Sequence, residues 1–333
     1  MVQHWIYAAG DDRDVVVSTR VSLARNLTGL PFPASMEEEQ RTALIDTVAP
    51  SLEAAGLARC RWDDLSGWEQ QAMAERRLVS PAFFAGQGKR AVFASEDEHL
   101  AVSVGGQDHL KLQVLCAGLA LEEAYRQIDA LDTALDAKLH FAFDPRLGYL
   151  TQSPADLGTA MHASVYLHLP ALQQSRFIYE LSNMVSKLGL SLGSVYGESG
   201  KSGCSLYQLS NRVTLGITEQ AAISNLASFA RQIVRQERLA REELRGQPTL
   251  EDRVWRSYGL LKNARLLPLE ECRTLWSNVR VGTALSLLPA LSAEAVDALL
   301  LAVGPATVMS IAGKELDSTE LEQQRATIVR ERV

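Results

Sequence analysis

Residues 144–170 read DPRLGYLTQSPADLGTAMHASVYLHLP, and their second half decides the fold. Met161, Ala163, Val165, Leu167 and Leu169 alternate with His162, Ser164, Tyr166 and His168, the two-residue period of a strand with one apolar and one polar face. The apolar face is expected in a core and the polar face beside water. Ser153-Pro154 and Gly158-Thr159 punctuate the loop that feeds this strand,.

Further signals surround it. Val15-Val16-Val17 reads as a short buried strand running into Ser18-Thr19-Arg20-Val21-Ser22-Leu23-Ala24-Arg25-Asn26. Residues 91–94 and 100–104 flank the acidic turn Ser95-Glu96-Asp97-Glu98 as a hairpin, and the second strand runs into Gly105-Gly106-Gln107-Asp108-His109-Leu110-Lys111. Ser35-Met36-Glu37-Glu38 has the form of a capping box and opens a helix that Gly56 ends,. Leu121, Ala124, Ile128, Leu131 and Leu135 mark an amphipathic helix,. Thr218 caps a long helix with Ile223, Leu226, Phe229 and Ile233 on one side, stopped near Gly246-Gln247-Pro248,. That stop is the expected domain boundary, and the chain beyond it is helical and leucine-rich.

Gly197-Glu198-Ser199-Gly200-Lys201-Ser202 invites a phosphate-binding P-loop reading. Val195 stands where that motif needs glycine, and a strand-like run, 205–209, follows where it needs a helix,. Both features argue against it.

A chain of 333 residues, 47% of them hydrophobic, has material for one large domain and a smaller second one,. A formal charge of -7 argues against a surface built for nucleic acid,. Cys60, Cys116, Cys204 and Cys272 are widely spaced, without zinc-ligand spacing, so a reducing, cytoplasmic setting and no protein-held metal are expected. No apolar run approaches the ~20 residues that span a bilayer.

Gly148-Tyr149-Leu150-Thr151, Ser153-Pro154-Ala155-Asp156-Leu157-Gly158-Thr159, Ala163-Ser164-Val165 and His168-Leu169-Pro170 together resemble the ATP:guanido phosphotransferases, and among them the bacterial protein-arginine kinase branch. That family carries Cys-Pro-Thr/Ser-Asn-hydrophobic-Gly-Thr-x-x-Arg in this place. Here Ser153 replaces Cys, Asp156 replaces Asn and His162 replaces Arg. Ser18 to Asn26, followed by Pro31-Phe32-Pro33, resembles the family's Ser-x-Arg-x-Arg-(x)2-Arg-Asn; Arg20 is kept and the next arginine is Ser22. Arg77 stands where the branch has a histidine near the nucleotide. Gly106 and Gln107 replace the paired glutamates of Asn-Glu-Glu-Asp-His-x-Arg, and Lys111 replaces its arginine. Tyr196-Gly197-Glu198 matches the end of Arg-Gly-x-Tyr-Gly-Glu, with Gly193 for the arginine and Ser194 for the glycine.

The resemblance implies a nucleotide held by Ser18, Thr19, Arg20, Val21 and Ser22, by Arg77 and Lys111, by His162, Ala163, Ser164, Val165 and Tyr166, and by Gly193, Ser194, Val195, Tyr196, Gly197 and Glu198. It implies catalytic positions at Glu198, Gln107 and Ser153. Asp252 to Leu261 resembles the helical C-terminal domain of the branch, which dimerises and offers Arg-Asp-x-x-Arg-Ala to phosphoarginine. The matching text here is Leu321-Glu322-Gln323-Gln324-Arg325-Ala326, which leaves Arg325.

Guanidino phosphorylation needs fixed cations on the phosphates and a carboxylate that aligns the guanidinium and takes a proton from it. Of the family's clamp arginines, Arg20 remains, Lys111 keeps charge without the planar fork, and Ser22, His162 and Gly193 are losses. Gln107 has nearly the shape of glutamate but cannot act as a base. Losing a general base lowers rate about 10²- to 10⁴-fold and losing an electrostatic donor about 10²- to 10³-fold, and such losses do not simply multiply.

The expected architecture is α+β: a mainly antiparallel sheet flanked by helices over residues 1–247, then a helical domain over 248–333. The expected function is that of a guanidino-phosphotransferase scaffold with degraded catalysis, a pseudokinase acting by binding or assembly. It would be a homodimer through the C-terminal helices, with protein partners in the arginine-phosphorylation and quality-control system, and no nucleic acid or membrane. The other reading is an active enzyme using ATP and Mg2+, with Glu96, Asp97, Glu98 or Asp108 supplying the carboxylate and Lys111, Arg77 and Lys201 the charge.

Overall fold

The computed structural model describes residues 4–60, 62–196, 203–288 and 291–333. In chain order the elements are β1 (Val16–Arg25), α1 (Glu38–Ala54), β2 (Ala58–Cys60), α2 (Gly67–Glu75), α3 (Pro81–Ala85), β3 (Ala91–Ala94), β4 (Leu100–Val104), β5 (Leu110–Ala117), α4 (Leu121–Leu139), β6 (Phe143–Asp144), β7 (Gly148–Tyr149), β8 (Met161–His168), α5 (Pro170–Gln174), α6 (Ile178–Ser186), β9 (Leu190–Ser194), β10 (Leu206–Asn211), α7 (Glu219–Leu244), α8 (Pro248–Asn263), α9 (Leu269–Ala284), α10 (Ala293–Ala302), α11 (Pro305–Ala312) and α12 (Ser318–Arg330). Eight strands form one sheet in the order β2-β3-β4-β5-β1-β8-β10-β9, antiparallel throughout. This is the α+β architecture expected from the sequence.

One face of the sheet buries Val21, Leu23, Leu112, Val114, Ala163 and Val165 against Leu44, Ile45 and Val48 of α1, Ile128 and Leu135 of α4, and Ile223, Leu226 and Ile233 of α7. The apolar alternation in β8 therefore becomes core as expected. Its polar half does not become a wet face: Ser164, Tyr166 and His168 are buried. The reason is tertiary. Val17, Leu115, Tyr166 and Leu206 on that side pack against Leu275, Trp276, Val279 and Leu299 of α9 and α10, so the helical domain roofs the end of the sheet that β8 runs into.

One further expectation is corrected. The cap of α1 is Glu37, paired reciprocally with Gln40, while Ser35 ends a short 3-10 turn, Pro33–Ser35. Arg25 is a buried, ion-paired arginine. Its guanidinium grips Asp132 at 2.9 and 2.8 Å, donates to the carbonyls of Ala24 and Thr159, and stacks on Tyr149 at 3.5 Å.

Glycine geometry shapes the loop before β8. Gly148 (φ 74°) and Gly158 (φ 102°) are bridged backbone to backbone. A Cβ on Gly158 would stand 2.1 Å from the carbonyl oxygen of Thr214. Only glycine combines that φ with that approach, and the closed loop presents Asp156 to the polar face.

A buried polar seam joins the two domains. Asp297, fully buried, accepts from Arg280 Nε at 2.7 Å and Arg13 Nη2 at 3.1 Å. Arg280 also donates to the carbonyls of Arg13 and Asp14 at 2.7 and 3.0 Å. From the sheet side Arg241 donates to Asp14 O at 2.7 Å, His168 O at 2.9 Å and Glu237 at 2.7 Å.

His168 lies in this seam, with Nε2 2.7 Å from Ser277 Oγ and Nδ1 buried without a partner. Burial, then the neighbouring Arg280 and Arg241, push its pKa well below the ordinary 6.5. Burial also lowers that of His109, whose Nδ1 accepts from Leu27 N and whose Nε2 therefore donates to Pro31 O. Below about pH 6.5 the unfolded chain takes up protons that these folded histidines refuse, so stability present above that pH is lost on acidification. Urea midpoints are expected to fall between pH 7 and 5, with a shallower fall in His168→Gln. Parallel pH profiles for the two proteins would contradict the assignment.

Candidate nucleotide and acceptor cleft

Antiparallel register aligns a polar row across the sheet. Arg20 lies opposite Ser164 and Leu115, Ser22 opposite His162 and Gln113, and Ala24 opposite Lys111. Tyr166 faces Gln208, which faces Gly193. Alternation along β1 sends Ser18, Arg20 and Ser22 to this face, while Thr19 and Val21 point the other way. Thr19 donates to Gly118 O at 2.7 Å, and Val21, Ala163 and Val165 lie in the core. Those four expected nucleotide contacts therefore turn their side chains away from the cleft.

The polar face carries two chambers, each lined in part by β1 and β8. The first, about 370 Å³, is lined by Arg20, Arg77, Tyr166, Ser194, Val195, Tyr196, Gln208 and Arg273, among others. Arg77 follows α2 in a left-handed conformation (φ 67°), stacks on Tyr166 at 3.8 Å and reaches Ser18 Oγ at 3.4 Å. Gln113 Nε2 donates to its carbonyl at 2.5 Å. Arg20 Nε is buried and has no hydrogen-bond partner among the described residues. A buried N–H donor left unpaired is unfavourable unless an acceptor completes it, and with Arg77 and Arg273 on the same walls this chamber is suited to an anion such as phosphate.

The second chamber, about 150 Å³, is lined by Ser22, Gln107, Asp108, Lys111, Asp156 and His162 together with Phe83 and Gly106. His162 Nε2 sits 2.8 Å from Asp156 Oδ1. The departures at 156 and 162 thus satisfy each other, and the imidazole is tied to a carboxylate instead of being left for phosphate. Burial and then the nearby Arg20 lower the pKa of Lys111, opposed by Asp156 and Asp108. Gln107 is exposed at the rim. A Cβ on Gly106 would stand 2.9 Å from Phe83 Cδ2, so Phe83 fills the space where a side chain at 106 would start.

The alternative carboxylates separate cleanly. Glu98 is bound to Arg76 and His4, and Asp97 to His99 and Ser95; Glu96 and Glu98 line a different cavity, with Ile6 and Leu301. Only Asp108 of that group reaches the second chamber, and its Oδ1 already accepts from Asn26 Nδ2 and Gln152 N at 2.7 and 2.9 Å. Asp156 is the carboxylate of the second chamber that sequence reasoning did not offer among its alternatives; its signal was the change from Asn at a glycine-closed turn.

Ser153 precedes the turn bearing Asp156 and lines neither chamber. Gly197, Glu198 and Lys201 lie outside the described residues. The segment 197–202 is followed by strand β10, not a helix, as the argument against a P-loop requires. Arg325 is buried and donates to Val303 O and Leu267 O, both at 2.8 Å. Its guanidinium braces the helical domain from within, which is not the exposed fork a phosphoarginine would need. No cluster of three or more metal-ligating side chains occurs among the described residues.

An antiparallel sheet with this cleft on its polar face defines a guanidino-kinase-type phosphotransferase domain, here joined to a helical domain. The duplicated taurocyamine kinase from Schistosoma mansoni has the same fold, with a TM-score of 0.63 at 23% identity over 74% of this chain and 38% of that one. Lombricine kinase is similar at a TM-score of 0.61 and 17% identity, covering 69% of this chain and 68% of that one. Residues 37–240 match the ATP:guanido phosphotransferase C-terminal catalytic domain, and residues 247–333 the protein-arginine kinase McsB C-terminal domain. The protein-arginine kinase of Moorella thermoacetica is 38% identical over 98% of this chain and 96% of its own, and that of Clostridium acetobutylicum 36% identical over 99% of each. The chain belongs to the ATP:guanido phosphotransferase family.

Proposed function

We propose that this family member binds nucleotide in the first chamber but transfers phosphoryl groups to arginine only weakly, acting chiefly as a binding or assembly partner in protein-arginine phosphorylation. The observation that carries this reading is the second chamber. Position 106 is a glycine walled by Phe83 and position 107 an amide at the rim, so neither position expected to bear glutamate supplies a base. Losing the base alone lowers rate about 10²- to 10⁴-fold. Exposed Trp255 and Leu260 on α8 support an assembly role, because large apolar side chains concentrate at interfaces.

Incubation with labelled ATP, magnesium and an arginine-bearing protein is expected to give turnover at least about 10²-fold below the roughly 1–100 s⁻¹ of kinases. Turnover within that range ends this reading.

The second reading, a working phosphotransferase, is favoured by Asp156 and Asp108 on the acceptor wall beside Lys111. Magnesium arriving on the triphosphate needs only one or two protein carboxylates, and Asp108 and Asp156 are the carboxylates that line this chamber. Asp156→Asn separates the readings. It abolishes activity if Asp156 is the substitute base and leaves a weak background rate within a few-fold if it is not.

A further inference from the structure

The first chamber has a wall that does not come from the catalytic-type domain. Arg273, on the first turns of α9, stacks its guanidinium on the ring of Tyr196 at 3.8 Å and lines the chamber together with Arg20 and Arg77. Resting on the reading that this chamber takes a nucleotide, we infer that Arg273 is a phosphate-binding residue donated by the helical domain. It supplies the planar cationic fork that Gly193 no longer carries.

Three observations lead there. The first is that the root of the lost arginine is open: a Cβ on Gly193 would meet nothing within 4 Å, so no neighbouring atom has closed over the place where the family's arginine side chain would start. Gly193 pairs with Gln208, and Gln208 lines the same chamber as Arg273.

The second is the state of the Arg273 guanidinium. Its side chain is 17% exposed and one nitrogen, Nη1, lies 2.6 Å from Oε1 of the well-exposed Glu270. A guanidinium has five N–H donors in a rigid fork, so this single partner among the described residues leaves donors for phosphate oxygens. Stacking on Tyr196 fixes the plane of the fork without using those donors.

The third is that α9 cannot drift from the sheet. Thr274 Oγ1, one residue on, donates to Gly203 O at 3.3 Å, so α9 touches both described residues that flank 197–202. At the far end of the same helix, Arg280 is locked into the buried seam through Asp297 and the carbonyls of Arg13 and Asp14. On the opposite lip, Glu75, two residues before Arg77, accepts from the backbone N–H groups of Ala306 and Thr307 at 3.1 and 2.7 Å and from Thr307 Oγ1 at 2.8 Å. The helical domain thus holds both Tyr196 and the segment that bears Arg77. The nucleotide chamber is complete only with that domain docked.

The test is a titration of the full chain with Mg-ATP, AMP and adenosine, on wild type, Arg273→Gln and Glu270→Gln, with thermal unfolding of each protein without ligand as a check on folding. Arg273→Gln is expected to weaken Mg-ATP about 10-fold or more while adenosine affinity stays within two-fold, since only the phosphates lose a partner. Glu270→Gln, which removes the negative charge that competes with phosphate for Nη1, is expected to tighten Mg-ATP a few-fold. Its surface site makes it tolerable to folding even where Arg273→Gln is not. Equal losses for ATP and adenosine would show that Arg273 only shapes the chamber. Unchanged ATP affinity in both variants overturns the inference and leaves the nucleotide reading standing, whereas a wild type that ignores Mg-ATP removes both.

Discussion

Exchanging Gln107 for glutamate is expected to raise phosphoryl transfer to arginine by about 10²- to 10⁴-fold, the usual worth of a positioned general base. Gln107 lines the acceptor chamber beside Asp108 and Lys111 and is exposed, so the replacement buries no charge and should leave stability within about 0.5 kcal/mol. The neighbouring exchange is the control. Gly106→Glu must push Phe83, only 2.9 Å from the new Cβ, out of its contact with Trp62. Overpacking of that kind destabilises by about 1–3 kcal/mol and should bring no comparable gain in rate. Initial rates with labelled ATP decide between the outcomes. A Gln107→Glu protein no faster than wild type means that the missing base does not limit the reaction, and the weak-catalysis reading loses its main support.

Replacing Asp297 by alanine is expected to lower unfolding stability by about 3–5 kcal/mol, the range for stranding buried charges. Asp297 has no exposed surface and is the carboxylate shared by Arg13 and Arg280. Its loss leaves Arg280 desolvated with only carbonyl partners, and Arg13 with the Ala8 carbonyl and the more distant Glu294 carboxylate at 3.7 Å. Against a total stability of typically 5–15 kcal/mol, this is a large fraction, and urea unfolding at constant pH measures it. Because α9 carries both Arg280 and Arg273, Mg-ATP affinity is expected to fall with it. A loss under about 1 kcal/mol would mean that the seam is not what holds the helical domain to the sheet.

Much of the fold could be read along the chain. The hairpin strands β3 and β4 fall on the residues that alternation and the acidic turn marked out, and Thr218 caps α7 through its side chain as expected. These are local effects: a strand's period, a cap, a turn glycine. The cap of α1 was misplaced because Glu37 and Gln40 satisfy each other just beyond a proline-started 3-10 turn, and a Ser-x-x-Glu pattern does not distinguish the two. The candidate site was legible in part. The resemblance directed attention to Arg20, Arg77, Lys111 and His162, which do line the chambers, but it could not announce that Asp156 would bond to His162. Nor could it point to Arg273, which lies in the other domain.

The order of polar and apolar residues was enough to determine that β8 is a strand with an oily side and that the chain after the Gly246-Gln247-Pro248 stop is helical, and the family resemblance marked where its charged groups differ in this sequence. Whether the polar side of β8 is wet, which carboxylates reach the cleft, and which arginines line it were decided only when the helical domain closed over the sheet. Alternation and capping act over a few bonds, but desolvation and charge pairing act through space, between residues that the chain keeps far apart until it folds.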